Sequence, residues 1–144
     1  MRMLDAVHSC EVFIHERHLD TFGHVNNAVY LDLFEQSRWD LITANGYGLA
    51  EVQRTRLGPT ILEIQLRFVK EVRNRERVTI RSWTQAYKRK ICHFRQQMTD
   101  ADGALFCDAT FVIGLFDLEA RKLIEPTAAW LAALGIEADE LERR

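Results

Sequence analysis

Proline, glycine and cysteine are sparse in this 144-residue sequence, with two, seven and three copies respectively. The sequence contains no repeat, no low-complexity tract and no linker rich in proline or glycine, so we expect a single domain over residues 1–144. Cys10, Cys92 and Cys107 are far apart and form no Cys-x-x-Cys pair. This spacing argues against a disulfide framework or a cysteine zinc site and is typical of reduced, buried thiols in a cytoplasmic protein.

A surplus of one charge and a long apolar run are also missing. The formal net charge is -2, whereas a general binder of nucleic acid carries a basic surplus, so we expect no nucleic-acid partner. No window approaches about 18 consecutive apolar residues, and the first ten residues lack the apolar core of a secretory signal. We therefore expect no membrane span and no secretion. His15, His18 and His24 lack helical i,i+4 spacing, and we expect neither a metal site nor a cofactor.

Two hydrophobic periods are clear in the sequence. Residues 10–18 alternate apolar and polar side chains, which predicts a strand. In residues 28–48 apolar positions recur every three or four residues, which predicts an amphipathic helix of about four or five turns. Gly46 or Gly48 would end this helix in a left-handed cap.

Four predicted strands follow the helix, at residues 60–72, 78–87, 91–99 and 104–120, with a short edge piece at 121–126. A short helix is predicted at about 126–142. Because only one helix is long and apolar enough to cover a sheet, the simplest architecture is α+β, with a curved antiparallel sheet wrapped around that helix. The open edges of such a sheet favour pairing with a second copy, so we expect a homo-oligomer.

The connection before the long helix concentrates polar residues. Asn26 or Asn27 is a preferred N-cap, and the first N–H groups of a helix lack internal partners and favour negative charge. A carbonyl oxygen that gains charge during acyl transfer suits this position. Gly23 lets backbone or ligand approach closely, and Asp20 is near enough to act as a nucleophile or to activate water. The same pattern also occurs in ordinary turns that lead into helices.

The longer segment LDTFGHVNNAVYLDLFEQSR resembles the signature of the hot-dog-fold acyl-CoA thioesterases, in the 4-hydroxybenzoyl-CoA thioesterase-like branch. The matching positions are Asp20, Gly23, His24, Val25, Asn26, Asn27, Tyr30, Glu35 and Arg38. The predicted order and lengths of the elements agree as well, so the resemblance extends over residues 10–125. It is specific for this branch and much less specific for the substrate.

The resemblance implies a hot-dog fold and hydrolysis of an acyl-CoA thioester to a free acid and CoA. It makes Asp20 the catalytic carboxylate, as nucleophile or general base, and the Asn27 backbone N–H the donor to the thioester carbonyl. It also implies active sites between two protomers of a dimer or tetramer. Basic residues near a strand turn would contact the phosphates of CoA, and the turn formed by Lys88, Arg89 and Lys90 is the candidate, unless it is only a solvated tip.

Two positions depart from related patterns. His18 stands where many members of the family carry a second acidic residue, and Phe22 stands where plant acyl-carrier-protein thioesterases have asparagine. The sequence therefore leaves open whether Asp20 and His24 form a catalytic dyad, and it does not define the role of His24. The resemblance assigns substrate binding to Gly23, Asn26, Tyr30, Glu35, Lys88, Arg89 and Lys90.

The acyl pocket should be apolar. Its candidate lining residues, which are equally typical of a core, are Tyr30, Phe34, Leu62, Trp83 and Phe94. Glu35 either lines this pocket or pairs with Arg38 at i,i+3. Two other functions remain open, a hot-dog hydratase or dehydratase and a non-catalytic acyl-CoA-binding protein. The former usually has prolines beyond its histidine, and the latter tends to carry an added DNA-binding segment; neither feature is visible here.

Overall fold

The computed structural model describes residues 7–137, and the statements below concern that part of the chain. Its strands are β1 (His8–Phe13), β2 (Leu57–Phe68), β3 (Arg77–Lys88), β4 (Ile91–Thr99), β5 (Leu105–Asp117) and β6 (Lys122–Ile124), and its helices are α1 (Asn27–Ala44), α2 (Leu49–Thr55) and α3 (Ala128–Ala133). The strands form one antiparallel sheet in the order β1-β3-β4-β5-β2, with β6 paired to β5. The predicted α+β architecture, a curved sheet around one long helix, is confirmed.

Helix α1 spans 18 residues, which is about five turns, as its apolar period predicted. It ends in a left-handed cap at Gly46, whose φ is +86°. The Tyr47 N–H donates to the Ile42 carbonyl at 2.7 Å, which satisfies one of the carbonyls left unpaired at the helix end. Of the two predicted stop residues, Gly46 is therefore the correct one, and Gly48 is instead the N-cap of α2.

Three element predictions need correction. The first strand ends at Phe13, because the His15 N–H donates to the His18 imidazole at 2.9 Å and the chain turns into a 3₁₀ helix over Glu16–His18. Helix α2 lies in the segment before Pro59, where the sequence pattern predicts only a loop. Its Glu51–Arg54 pair, one turn apart, illustrates local stabilisation that apolar periodicity does not show. Of the helix predicted at 126–142, α3 is the observed part, and residues beyond 137 lie outside the described range.

A buried polar network fixes α1 to the sheet. The Gln96 side chain on β4 donates to the Phe34 carbonyl at 3.0 Å and to the Ser82 hydroxyl at 2.9 Å. Its carbonyl oxygen accepts from the Arg38 guanidinium at 2.9 Å. Because buried polar groups are costly unless they are hydrogen-bonded, this network specifies the height and rotation of the helix on the sheet. No helix in residues 7–137 is both long enough and apolar enough to cross a membrane.

Strand β2 is an edge strand with apolar side chains left uncovered. The period-two pattern puts Ile64 and Phe68 on the same face as α1, paired with Phe111 and Cys107 of β5. Within one protomer these two side chains are nevertheless 44% and 49% exposed. The sequence prediction of a half-buried strand is therefore wrong for a single protomer, because α1 does not cover this edge.

The three cysteines give a prediction about thiol reactivity. Burial raises the pKa of the Cys92 and Cys107 thiols to about 12, whereas Cys10 is only half-buried. Since the thiolate is the reactive form, both buried thiols should be inert at pH 8. We expect at most one thiol per native chain to react promptly with a chromogenic disulfide reagent, and all three to react in denaturant. Three fast thiols in the native protein would contradict this burial.

Candidate active site

A cavity of about 230 Å³ lies at the N-terminal end of α1. Its walls come from the preceding loop, the first helical turn, the end of β2 and the segment after β2. The lining residues are Asp20, His24, Val25, Asn27, Tyr30, Phe68, Val69, Lys70 and Glu71. The structure thus brings the three predicted catalytic residues together with Tyr30 at one cavity.

The loop holds Asp20 through its own backbone. The Asp20 Oδ1 atom accepts hydrogen bonds from the N–H groups of Phe22 at 2.9 Å and His24 at 3.3 Å. In the described part of the chain no residue bonds the other oxygen, Oδ2, so Asp20 offers one carboxylate oxygen to a ligand. Gly23 has a φ of +82°, and a Cβ there would meet no atom within 4 Å. The positive φ makes Gly23 the residue suited to this turn, and the space that a Cβ would take is open; its predicted contact with a ligand stays a prediction.

The start of α1 separates the roles of the two asparagines. Asn26 is the N-cap, and its Oδ1 accepts from the Ala28 N–H at 2.9 Å. Asn26 is not among the residues that line the cavity; its capping role is observed, and its contact with substrate stays a prediction. Asn27 is the first helical residue and lines the cavity, and its N–H donates to no residue among 7–137. This N–H, at the positive end of the helix, is suited to a carbonyl oxygen.

The His24 side chain has a different partner from the expected one. Its Nε2 lies 2.9 Å from Oε2 of Glu71, while its only bond to the Asp20 carboxylate comes from the backbone N–H. The Asp20–His24 side-chain dyad is therefore not formed. Glu71 also accepts from Arg73, whose Nη2 lies 3.0 Å from Oε1. The sequence pattern does not indicate Glu71, because long-range backbone pairing, which includes the bond from the Val25 N–H to the Val72 carbonyl, brings this segment beside the loop.

Two further side chains shape the cavity. Burial raises the pKa of the Tyr30 hydroxyl, and the Tyr30 ring packs edge-on against Phe68 with 5.1 Å between centroids. Lys70, which sequence analysis also missed, has its amino group 5.2 Å from the Phe106 ring centroid and 4.0 Å from Asp100 Oδ2. One wall of the cavity is therefore aromatic, and its rim carries a cation.

A second cavity of about 100 Å³ lies between the C-terminal half of α1, the sheet and α3. It is largely apolar and is lined by Glu35, Arg38, Trp39, Leu41, Ile42, Pro59, Ile61, Phe94, Ile113, Trp130 and Leu134. The Arg38 guanidinium lies 4.3 Å from the Phe111 ring centroid, and burial lowers its pKa to about 10. Glu35 and Arg38 both line this cavity, and although no salt bridge joins them in the described residues, the Glu35 charge opposes the lowering of the Arg38 pKa. The two roles considered for Glu35 therefore stay predictions.

Of the side chains predicted for the acyl pocket, Phe94 lines the second cavity and Tyr30 the first. Phe34 is a fully buried core residue. Leu62 is exposed at a register shift in β2. Trp83 lies on the face of the sheet opposite α1, because its neighbour Ser82 contacts Ser37 of the helix. Phe34, Leu62 and Trp83 are therefore not cavity residues in the protomer.

The basic turn lies far from Asp20 within one protomer. Lys88, Arg89 and Lys90 connect β3 to β4 and are all exposed, with Arg89 at a φ of 55°. The Lys90 carbonyl lies close to Gly114 of β5, at 3.3 Å from the position that a Cβ would take there. The turn is therefore beside the end of β5 that pairs with the start of β2. The turn therefore lines neither cavity of its own protomer.

This chain resembles known thioesterases in sequence and in fold. A family described as the thioesterase-like superfamily matches residues 14–134. The long-chain acyl-CoA thioesterase FadM of Escherichia coli strain K12 is 27% identical over 108 residues, which is 74% of this chain and 81% of FadM.

Two solved structures show the same hot-dog fold. SAV2348 from Staphylococcus aureus, in complex with CoA, gives a TM-score of 0.83 at 16% identity. The match covers 94% of this chain and 85% of the SAV2348 chain. Slr0204, a 1,4-dihydroxy-2-naphthoyl-CoA thioesterase from Synechocystis, gives a TM-score of 0.81 at 12% identity. The match covers 90% of this chain and 96% of Slr0204.

Proposed function

This chain belongs to the thioesterase-like superfamily of thioester hydrolases, and from this premise we propose that it hydrolyses acyl-CoA thioesters to a free acid and CoA. One observation carries the proposal: the Asp20 carboxylate and the unpaired Asn27 N–H line the same cavity at the start of α1. A nucleophile or base and an oxyanion donor are the two groups that acyl transfer requires.

In the proposed reaction the thioester carbonyl accepts a hydrogen bond from the Asn27 N–H, where the helix dipole favours the developing negative charge. The free oxygen of Asp20 then attacks the carbonyl carbon, which gives a mixed anhydride, or removes a proton from an attacking water. Both routes use Asp20 as a carboxylate. A carboxylate only accepts hydrogen bonds, as its Oδ1 does here from the N–H groups of Phe22 and His24.

We assign the acyl group to the apolar surface along β2. Phe68, at the end of this strand, lines the Asp20 cavity, whereas Pro59 and Ile61 line the second cavity. Ile64 and Leu66 lie between them on the same face. An acyl chain that starts at Asp20 therefore has an apolar path toward the second cavity, where Glu35 and Arg38 form the polar part of the wall.

The proposal includes a homodimer formed through β2. The strand has an unpaired edge and exposed apolar side chains, which are features of a surface that pairs with another strand. In a two-fold antiparallel pair the start of one β2 lies beside the end of the other. The basic turn of one protomer, at the far end of its sheet, would then approach the Asp20 cavity of its partner, where Lys88, Arg89 and Lys90 can meet CoA phosphates.

The proposed function is tested by release of free thiol from purified protein with short, long and aromatic acyl-CoAs. We expect CoA release above the uncatalysed rate with at least one of these substrates, and the acyl preference will indicate how much of the β2 path is used. The buried thiols of the protein should add little background. CoA binding without thiol release over the whole panel would instead support a non-catalytic acyl-CoA-binding protein.

A further inference from the structure

The pair of His24 and Glu71 inside the Asp20 cavity has no role in the steps above. The two side chains are 2.9 Å apart and both line the cavity. Their backbones are fixed to one another, because His24 and Arg73 form an isolated antiparallel bridge and the Val25 N–H donates to the Val72 carbonyl at 3.0 Å. The contact therefore joins two segments whose backbones are held together, although the two side chains are 39% and 42% exposed.

The geometry defines which ring nitrogen of His24 can act on substrate. A carboxylate only accepts hydrogen bonds, so the Nε2 that faces Glu71 carries a hydrogen. No residue within 7–137 bonds Nδ1. The second Glu71 oxygen accepts from Arg73 at 3.0 Å, which restricts rotation of the carboxylate and with it the imidazole plane. Nδ1 is then the ring atom left to exchange a proton inside the cavity.

From this arrangement we infer that Glu71 is a positioning residue for His24, and that His24 donates a proton to the sulfur of the leaving group. The inference rests on the proposed thioester hydrolysis and adds to it a residue and a step. Glu71 acts through His24, since it accepts the hydrogen of Nε2 and so orients the ring, as a carboxylate does for a histidine that works as an acid or base.

The step balances as follows in the general-base route. Water forms a bond to the carbonyl carbon and gives its proton to Asp20, and the C–S bond then breaks with its electron pair going to sulfur. Sulfur takes the proton from Nδ1 of His24, and His24 regains one from Asp20 through solvent. The other charged groups at this cavity are Lys70 on its rim and Arg73 behind Glu71. Asp20 and His24 thus act on different atoms of the thioester, which agrees with the absence of a side-chain dyad.

The test compares two thioesters of the same acyl group, one of CoA and one of an aromatic thiol. An aryl thiol has a lower pKa than the thiol of CoA, so its thiolate leaves readily without taking a proton. We expect Glu71→Gln to lower kcat on the CoA ester about tenfold or more, in line with the size of general acid catalysis, with KM little changed. On the aryl ester the same variant should lose less than about twofold. His24→Asn should show the same dependence on leaving group, and the double variant should lose little more than either single one.

The matched control is Glu63→Gln, an exposed glutamate on the opposite face of β2, which should leave both rates unchanged. Equal losses on both esters in Glu71→Gln would overturn the inference, because a general disturbance of the site does not depend on the leaving group. A wild-type protein inactive on both esters would instead overturn the hydrolase function. The ring ¹⁵N shifts of His24 give a readout without turnover: a neutral ring protonated at Nδ1 in the wild type would contradict the assigned tautomer.

Discussion

Replacing Asp20 with asparagine is expected to lower kcat for acyl-CoA hydrolysis about 10²–10⁴-fold while the fold is retained. The side-chain oxygen of asparagine can still accept the hydrogen bonds that Oδ1 now accepts from Phe22 and His24, so the loop should keep its conformation. What asparagine lacks is the charged second oxygen that would attack the carbonyl or take a proton. The effect should therefore appear in kcat, measured by CoA release, with the melting temperature close to that of the wild type.

A matched control is Asp40→Asn, which changes an exposed aspartate on α1 that bonds only Gln36 within residues 7–137. This variant should keep wild-type kcat. Asp20→Ala should lose activity to a similar extent, and it should also lower the melting temperature, because the two N–H groups lose their acceptor. Full activity in Asp20→Asn, with Asp40→Asn also active, would remove Asp20 from the mechanism.

The parts of the site that the sequence predicts correctly are local in the chain. The sequence predicts Asn26 or Asn27 as the N-cap and Gly46 or Gly48 as the stop, and the structure has Asn26 and Gly46; both depend on residues within a few positions. The 18 residues of α1 follow from a periodic apolar pattern that is long enough to be unambiguous. Asp20 and Asn27 fall at one cavity because a short turn leads directly into the helix.

The parts that the sequence does not predict depend on distant segments. Glu71 contacts His24 only because the chain after β2 returns beside the loop, 47 positions later in the sequence. Trp83 is large and aromatic, as pocket residues often are, yet the register of β3 turns its side chain away from α1. The alternation of β2 is correct, but a pattern in one chain does not say whether the same chain or a second copy covers the apolar face.

Replacing Ile64 with lysine is expected to separate the protomers and reduce activity together. If two β2 strands pair at their edges, the Ile64 side chain is covered by the partner. A buried unpaired charge there costs ~3 kcal/mol or more, which is equivalent to about 100-fold weaker association. In the single protomer the position is already 44% exposed, so the folded chain itself should tolerate lysine. Light scattering after size-exclusion chromatography should show the mass of one chain for the variant and a multiple of it for the wild type.

Activity gives the second half of this test, because the proposed site takes its CoA-binding turn from the partner. At protein concentrations where Ile64→Lys is monomeric, we expect kcat/KM for an acyl-CoA to fall at least about tenfold, and to recover in part as concentration rises and dimers form. Glu63→Lys introduces a lysine at the adjacent position, on the opposite face of β2, and should preserve mass and activity. A monomeric Ile64→Lys with wild-type kcat/KM would mean that one protomer holds a complete site. The basic turn of the partner would then not be needed for binding of CoA.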